Sequence, residues 1–345
     1  MMRGKSRYIG LVVTAVFLWL AFKDVDFATL FRKLSEANYA LIVPAILLWF
    51  IGYVARTARW RTILAGAEAG SLFDLFGVLM IGFATNNLLP ARLGEFARAY
   101  LLRRKTGLRK TFALASIFLE RVFDGLALVA IILVLSMMVE LPDWGREVEL
   151  VAALLFVGVA AGIIILLYRH EFAGRVVAFV AQPLPTRIST FAVGTFGAFV
   201  NGLSSMRQPR VVLGTVALSV AVWFIEWLAY YLVASAFDLG LPPAELGRAC
   251  AFLLVVVNLG IMLPAAPGYV GTFQYFVVKA LSVWGVAQEP ALAVAIVAHL
   301  AQYVLVTAVG LFFFGREHVS LSSVAAASQE SSDADADAAT TGGRS

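Results

Sequence analysis

The chain has 345 residues, of which 61% are hydrophobic and only 14% charged, against about 45–50% and about 25% in an average soluble domain. That composition excludes a soluble globular protein and predicts an all-α polytopic membrane protein; the single cysteine, Cys250, excludes a disulfide framework, and His170, His299 and His318 stand too far apart for a metal cluster. The basic residues behind the net charge of +5 sit in membrane-flanking loops, so the charge is a topology signal and implies no nucleic-acid partner.

Arg3, Lys5 and Arg7 precede an apolar run from Tyr8 to Phe22. Lys23-Asp24-Val25-Asp26 follows where a signal peptide would place a small-residue cleavage site, so the run reads as an uncleaved first span. Asp24 and Asp26 have the form of a glycosyltransferase DxD, a pattern too common to count for much. A helix needs about 20 apolar residues to cross the bilayer core. Further apolar segments lie at Tyr39–Val54, Leu72–Leu89, Thr111–Val139, Leu150–Tyr168, Val211–Phe237, Ala249–Leu263, Tyr269–Val283 and Ala291–Phe314. Residues 319–345 are Ala/Ser/Asp/Thr/Gly-rich and read as a disordered polar tail.

Two of these segments are broken alike. The first break carries Asn86, Asn87, Pro90, Arg92, Gly94 and Glu95; the second carries Asn258, Pro264, Pro267, Gly268 and Gly271. Such breaks free backbone groups that hydrocarbon leaves unsatisfied, so they survive only under protein or beside a wet cavity. Paired breaks in two halves point to a transporter-type site.

Loop charges set the orientation, because Lys and Arg collect on the cytoplasmic side. The N-terminus, the Arg56–Arg61 region and the Arg92–Lys110 loop all read as inside. Either Leu72 to about Leu102 dips in and returns as a re-entrant hairpin with its turn near Pro90, or the N-terminal assignment is in error. The acidic loop from Glu140 to Glu149 reads as outside, and the Arg169–Arg210 stretch as inside. Ala249–Val283 fits equally well two short full crossings or a second hairpin entering from the outer side and turning at Pro264–Gly268, and Ala291–Phe314 brings the tail back inside. The expectation is about six full spans plus two re-entrant hairpins, eight or nine apolar segments in all. They form inverted halves at about 1–140 and 150–318, in a prokaryotic inner or plasma membrane with both termini cytoplasmic.

Thr111–Val139 carries Glu120, Arg121 and Asp124 inside an apolar run. A charged residue at a helix centre costs about 2.5–3.5 kcal/mol to insert, so three need partners or water. Glu120 and Asp124 share a face at i, i+4, and Arg121 is turned away; the acids are expected to seek Arg92 and Arg98. Glu226 is the lone acid within Val211–Phe237. These ions either pair to fix helix packing or hold a phosphate-bearing head group, which Arg recognises bidentately. Asn86, Asn87 and Asn258 either contact that group or cap the broken helices. Arg56, Arg59, Arg61 and Trp60 read as an interfacial anchor first and a head-group contact second. His299 is a hydrogen-bonded core residue first and a proton relay second. No nucleophile elbow, Walker loop, HExxH or dinucleotide fingerprint occurs, so no catalytic residue, metal or cofactor is expected.

The run Asn87-Leu88-Leu89-Pro90-Ala91-Arg92-Leu93-Gly94-Glu95, then Arg98, Glu120-Arg121, Asp124 and Pro267-Gly268 with Gly271, resembles the flippase-like transmembrane family of the UPF0104 type. That family is similar to the N-terminal membrane domain of lysylphosphatidylglycerol synthetases. Members tend to carry Pro-Gly-Gly-Leu-Gly followed by Glu; here Tyr269 and Val270 intervene and Gln274 stands near that acid's place. The resemblance implies movement of a lipid with an anionic or phosphate head group between leaflets, an aminoacylated phospholipid or an isoprenoid- or glycan-linked lipid. A separate lipid-modifying enzyme is then a candidate partner. The alternatives are a membrane-embedded transferase using Glu120 and Asp124 as base or metal ligands, and an ion-coupled transporter or scaffold.

Overall fold

A computed structural model describes residues 2–65, 67–89, 93–168, 174–175, 200, 203–262 and 267–321. These residues form eleven α-helices and no strand. They are α1 (Met2–Phe22), α2 (Phe27–Glu36), α3 (Ile42–Ile63), α4 (Leu72–Leu88), α5 (Gly94–Thr106) and α6 (Lys110–Ser136). α7 (Asp143–Tyr168), α8 (Pro209–Ser235), α9 (Pro243–Gly260), α10 (Thr272–Leu281) and α11 (Gln288–Arg316) complete the set. Pro90, Arg92 and Pro264 lie outside the described residues, as does the predicted tail beyond residue 321.

The protein is an all-α polytopic membrane protein. Among the described residues, five stretches are long and apolar enough to cross a membrane: Tyr39–Ile63, Asp143–Ile165, Pro209–Ser235, Pro243–Gly260 and Gln288–Arg316. α6 is as long as these, at 27 residues, but carries the three intramembrane ions. α2 starts on Asp26, which accepts hydrogen bonds from the Thr29 hydroxyl at 2.6 Å and the Ala28 N–H at 3.0 Å. These bonds, the hydroxyl first, hold its carboxyl below the usual range. Asp26 is therefore committed as a helix cap.

Both breaks are hairpins, and they open toward opposite ends of α11. Lys105, in the last turn of α5, lies 3.1 Å from Asp74 in the first turn of α4 and 2.8 Å from Glu317, just past α11. The α4–α5 hairpin therefore returns to the end where α11 finishes. At the other end, Trp284 Nε1, just past α10, donates to Glu245 in the first turn of α9 at 3.2 Å, four residues before α11 begins. The second hairpin has unequal arms. α9 has 18 residues, whereas α10 has 10, rising only about 15 Å at about 1.5 Å per residue.

Packing repeats with the chain. α3 lies along α8; α4 packs on α3, α5 and α11, and α9 packs on α8, α10 and α6. Exchanging α3 with α8, α4 with α9, α5 with α10 and α6 with α11 leaves these partners unchanged. α1 and α2 add to α10 and α11, and α7 adds to α6. α4 is covered nearly all round, with Leu75, Val78, Leu79, Met80 and Ile81 at 0–1% exposure. A helix apolar on every side belongs in the middle of a bundle. Here that puts α4 in the middle of the bundle.

The two ends give a direct test. Cysteines introduced at Arg104 and Glu147, both exposed, should react with an impermeant maleimide from opposite sides, while native Cys250 is buried and silent. Labelling of both from one side would overturn the arrangement.

Candidate functional site

The hairpin tips meet. A Cβ built on Gly268 would lie 3.5 Å from the Asn87 carbonyl and 2.8 Å from the Tyr303 ring. Around this meeting point residues of α3 to α11 line a cavity of about 410 Å³. Of the expected binding residues, Asn86, Asn87, Glu95, Arg121, Asp124, Glu226 and Asn258 line it. Arg98 and Glu120 do not; they lie behind it.

The ions form two layers. The inner one is closed: Arg98 and Glu120, 2% exposed each, are hydrogen-bonded to one another, and Arg98 stacks over Trp60 at 4.1 Å from the ring centroid. Trp60 in turn donates to Ser116 at 3.0 Å. Arg59, 1% exposed, reaches Asp124 at 2.7 Å, Ser219 at 3.1 Å and Glu120 at 3.9 Å. The outer layer faces the cavity. Arg56 lies 3.3 Å from Glu226 and 3.6 Å from Asp124, and its guanidinium stands 5.2 Å over Trp223. Arg121 meets Asp124 only at 3.6 Å, with 45% of its side chain exposed. Glu95 Oε2 is buried with no hydrogen-bond partner among the described residues. Among the described residues, Arg56, Arg59, Arg98 and Arg121 thus balance Glu95, Glu120, Asp124 and Glu226 in formal charge.

Two expectations need correction. Arg59 and Trp60 are no interfacial anchor: α3 continues to Ile63, nine residues past the predicted span, and carries them into the interior, where Asp124 and Ser116 satisfy them. Arg61 alone of that group stays exposed. Asp124 also does not pair with Arg98. The face it shares with Glu120 meets α3 as well as α5, so each acid takes the guanidinium nearest its own level.

The asparagines act locally. Asn86 Oδ1 accepts from the Gly94 N–H at 2.8 Å, capping α5 across the break; Asn87 donates to Thr307 at 3.1 Å, and Asn258 donates to the Leu254 carbonyl at 2.8 Å. Gly94 has no room for a side chain: an added Cβ would sit 2.1 Å from the Gly82 carbonyl oxygen. Gly94→Ala is expected to cost about 1–3 kcal/mol or more by overpacking, read as a lower thermal midpoint; an unchanged midpoint would mean that the hairpin yields.

In the second break Gly268, Tyr269 and Gly271 all have positive φ, at 69°, 59° and 84°. Gln274 Oε1 accepts from the Gly271 N–H at 2.8 Å, and its Nε2 lies 2.9 Å from His299 Nδ1, while His299 Nε2 lies 2.7 Å from the Gly268 carbonyl. Because Oε1 is committed to Gly271, Gln274 donates to Nδ1, and His299 donates from Nε2. His299 is thus a hydrogen-bonded core residue that ties α11 to the Pro-Gly loop. It also lines the cavity, with Gln302, Tyr230 and Tyr303. Gln302 donates to Glu226 at 3.2 Å and Tyr230 at 3.3 Å. Gln302 was legible as a polar residue inside an apolar run; Arg56, just past the predicted span, and the aromatics carried no such signal. Among the described residues no group of three His, Cys, Asp or Glu is placed to hold a metal.

Residues 7–310 match the family described as the lysylphosphatidylglycerol synthase TM region. The chain is similar to "Glycosyltransferase AglD" of Haloferax volcanii, 26% identical over 318 residues, which cover 84% of this chain and 51% of that protein. It thus spans about half the length of that relative. A UPF0104 membrane protein of Methanothermobacter thermautotrophicus is 26% identical over 340 residues, covering 90% of this chain and 94% of the relative. Another from Methanocaldococcus jannaschii is 25% identical over 229 residues, covering 66% and 92%. No solved structure matches. The buried ion layers, the paired breaks and a match over nearly the whole helical bundle make this chain a member of the lysylphosphatidylglycerol synthase transmembrane-region family.

Proposed function

We propose that the central cavity receives the phosphate-bearing head group of a membrane lipid and that the chain carries this lipid between leaflets. The observation that supports it most is the outer ion layer. Arg121 offers donors that no acceptor among the described residues fully takes, and Glu95 offers a buried carboxylate oxygen with no partner among them. Phosphate oxygens suit the first, and an ammonium or a hydroxyl suits the second. Because the surrounding charges balance, a zwitterionic or singly anionic head group enters without a large excess of either sign. The two hairpins, opening to opposite ends and meeting at the cavity, support an inverted repeat of residues 1–140 and 150–318 around the site.

Reconstitution into liposomes with head-group-labelled lipids tests this. Leaflet exchange should exceed that of empty liposomes for at least one aminoacylated, isoprenoid-phosphate or phosphatidylglycerol lipid. No acceleration with any of them would refute translocation. The glycosyltransferase name of the Haloferax relative favours a second reading, a membrane module handling a lipid-linked sugar or phosphate. Turnover of a labelled lipid-linked sugar by the purified chain would select it.

A further inference from the structure

A second hollow, about 760 Å³, opens between α6, α8 and α9. Small side chains on two helices, Ala127 and Ala130 on α6 and Gly247 and Ala251 on α9, make it deep. Trp223, Trp227 and Tyr231 line it on α8 at four-residue intervals, so they lie along one face. The only ion on its wall is Arg248, which is paired with Glu245 at 2.7 Å.

Trp223 lines both hollows. On the cavity side it carries the Arg56 guanidinium over its ring. It is 4% exposed, yet its indole N–H is buried with no hydrogen-bond partner among the described residues. A buried indole N–H usually finds an acceptor. Its place, between a polar chamber and an apolar trough, is where a lipid has its ester or phosphate oxygens.

We propose that the α6/α8/α9 groove holds a hydrocarbon chain of the lipid whose head group occupies the central cavity, and that Trp223 holds the junction by donating to an oxygen between chain and head group. This rests on the head-group reading above. The groove lies within the size range of ligand pockets and is almost wholly apolar. Its place beside the cavity, with Trp223 as their common wall, selects a chain of the same molecule over a protein helix. The structure thus assigns the lateral route for the lipid to the α6/α8/α9 side.

The test uses the full chain in nanodiscs with a phosphatidylglycerol bearing a diazirine in one acyl chain, at low mole fraction. Photolabelling mapped by peptide mass spectrometry should fall on the groove around Phe224 and Ala251 about tenfold above the lipid-facing side of α7 around Leu154. Ala130→Trp and Ala244→Trp, both at exposed positions and so tolerated by the fold, should abolish the excess and leave the Leu154 labelling unchanged. Trp223→Phe, which keeps the ring and removes the donor, should reduce it. Even labelling of both faces, or an excess indifferent to the two bulky variants, overturns the proposal. A diazirine diacylglycerol, which lacks the phosphate, separates the two readings. If it labels the groove as strongly as phosphatidylglycerol does, the chain site stands and the head-group reading fails.

Discussion

Glu120→Gln should lower the unfolding free energy by about 3–5 kcal/mol, the cost of leaving one member of a buried ion pair uncompensated. Among the described residues no other acid is paired with Arg98. Its Nε and Nη1 already lack hydrogen-bond partners among the described residues, and only Glu120 and the face of Trp60 hold it. Replacing both partners with apolar groups of similar volume removes the orphan charge, so Arg98→Met with Glu120→Leu should recover most of the loss. Denaturant titration or thermal unfolding in detergent reads both changes. The double variant should also keep lipid exchange, because neither residue lines the cavity. A single variant as stable as wild type, or a double variant worse than the single, would refute the closed inner layer.

This division of the ions explains what the sequence revealed and what it hid. An apolar run interrupted by Glu120, Arg121 and Asp124 announces that partners exist, and the i, i+4 spacing of the two acids correctly gives them one face. Which arginine each acid meets depends on how α3 and α5 pack against α6, and no spacing within one helix encodes that. Arg56 and Arg59 were misread because the apolar run seemed to stop before them. In fact α3 continues, and buried acids compensate the two arginines. Loop charges pointed to the first hairpin, where a basic loop follows the break, and left the second hairpin level with two full crossings, because the loop after it carries only Glu289. Their unequal arms were not, since Pro242 and Pro243 start α9 earlier than hydropathy alone suggests. The asparagines looked equally suited to ligand or cap. The observed bonds spend Asn86 on capping, Asn87 on α11 and Asn258 on its own helix.

Arg121→Ala should do the reverse of Glu120→Gln: leave the fold intact and slow transport. Its contact with Asp124, at 3.6 Å, lies beyond hydrogen-bonding distance, and Asp124 keeps Arg59 at 2.7 Å and Arg56 at 3.6 Å when Arg121 is gone. No hydrogen bond among the described residues is broken, and the Arg121 side chain is 45% exposed, so stability should change by no more than about 1 kcal/mol. A guanidinium bonded to a phosphate in a cavity contributes about 1.5–3 kcal/mol, so its loss should slow head-group-dependent exchange about 10- to 100-fold. Arg121→Lys keeps the charge but not the planar fork, and should restore only part of the rate. The measurement is leaflet exchange in proteoliposomes beside a melting curve of the same preparation. A variant that melts early and transports slowly would make Arg121 another packing ion. A variant that melts like wild type and transports at the wild-type rate would remove the phosphate from the cavity altogether.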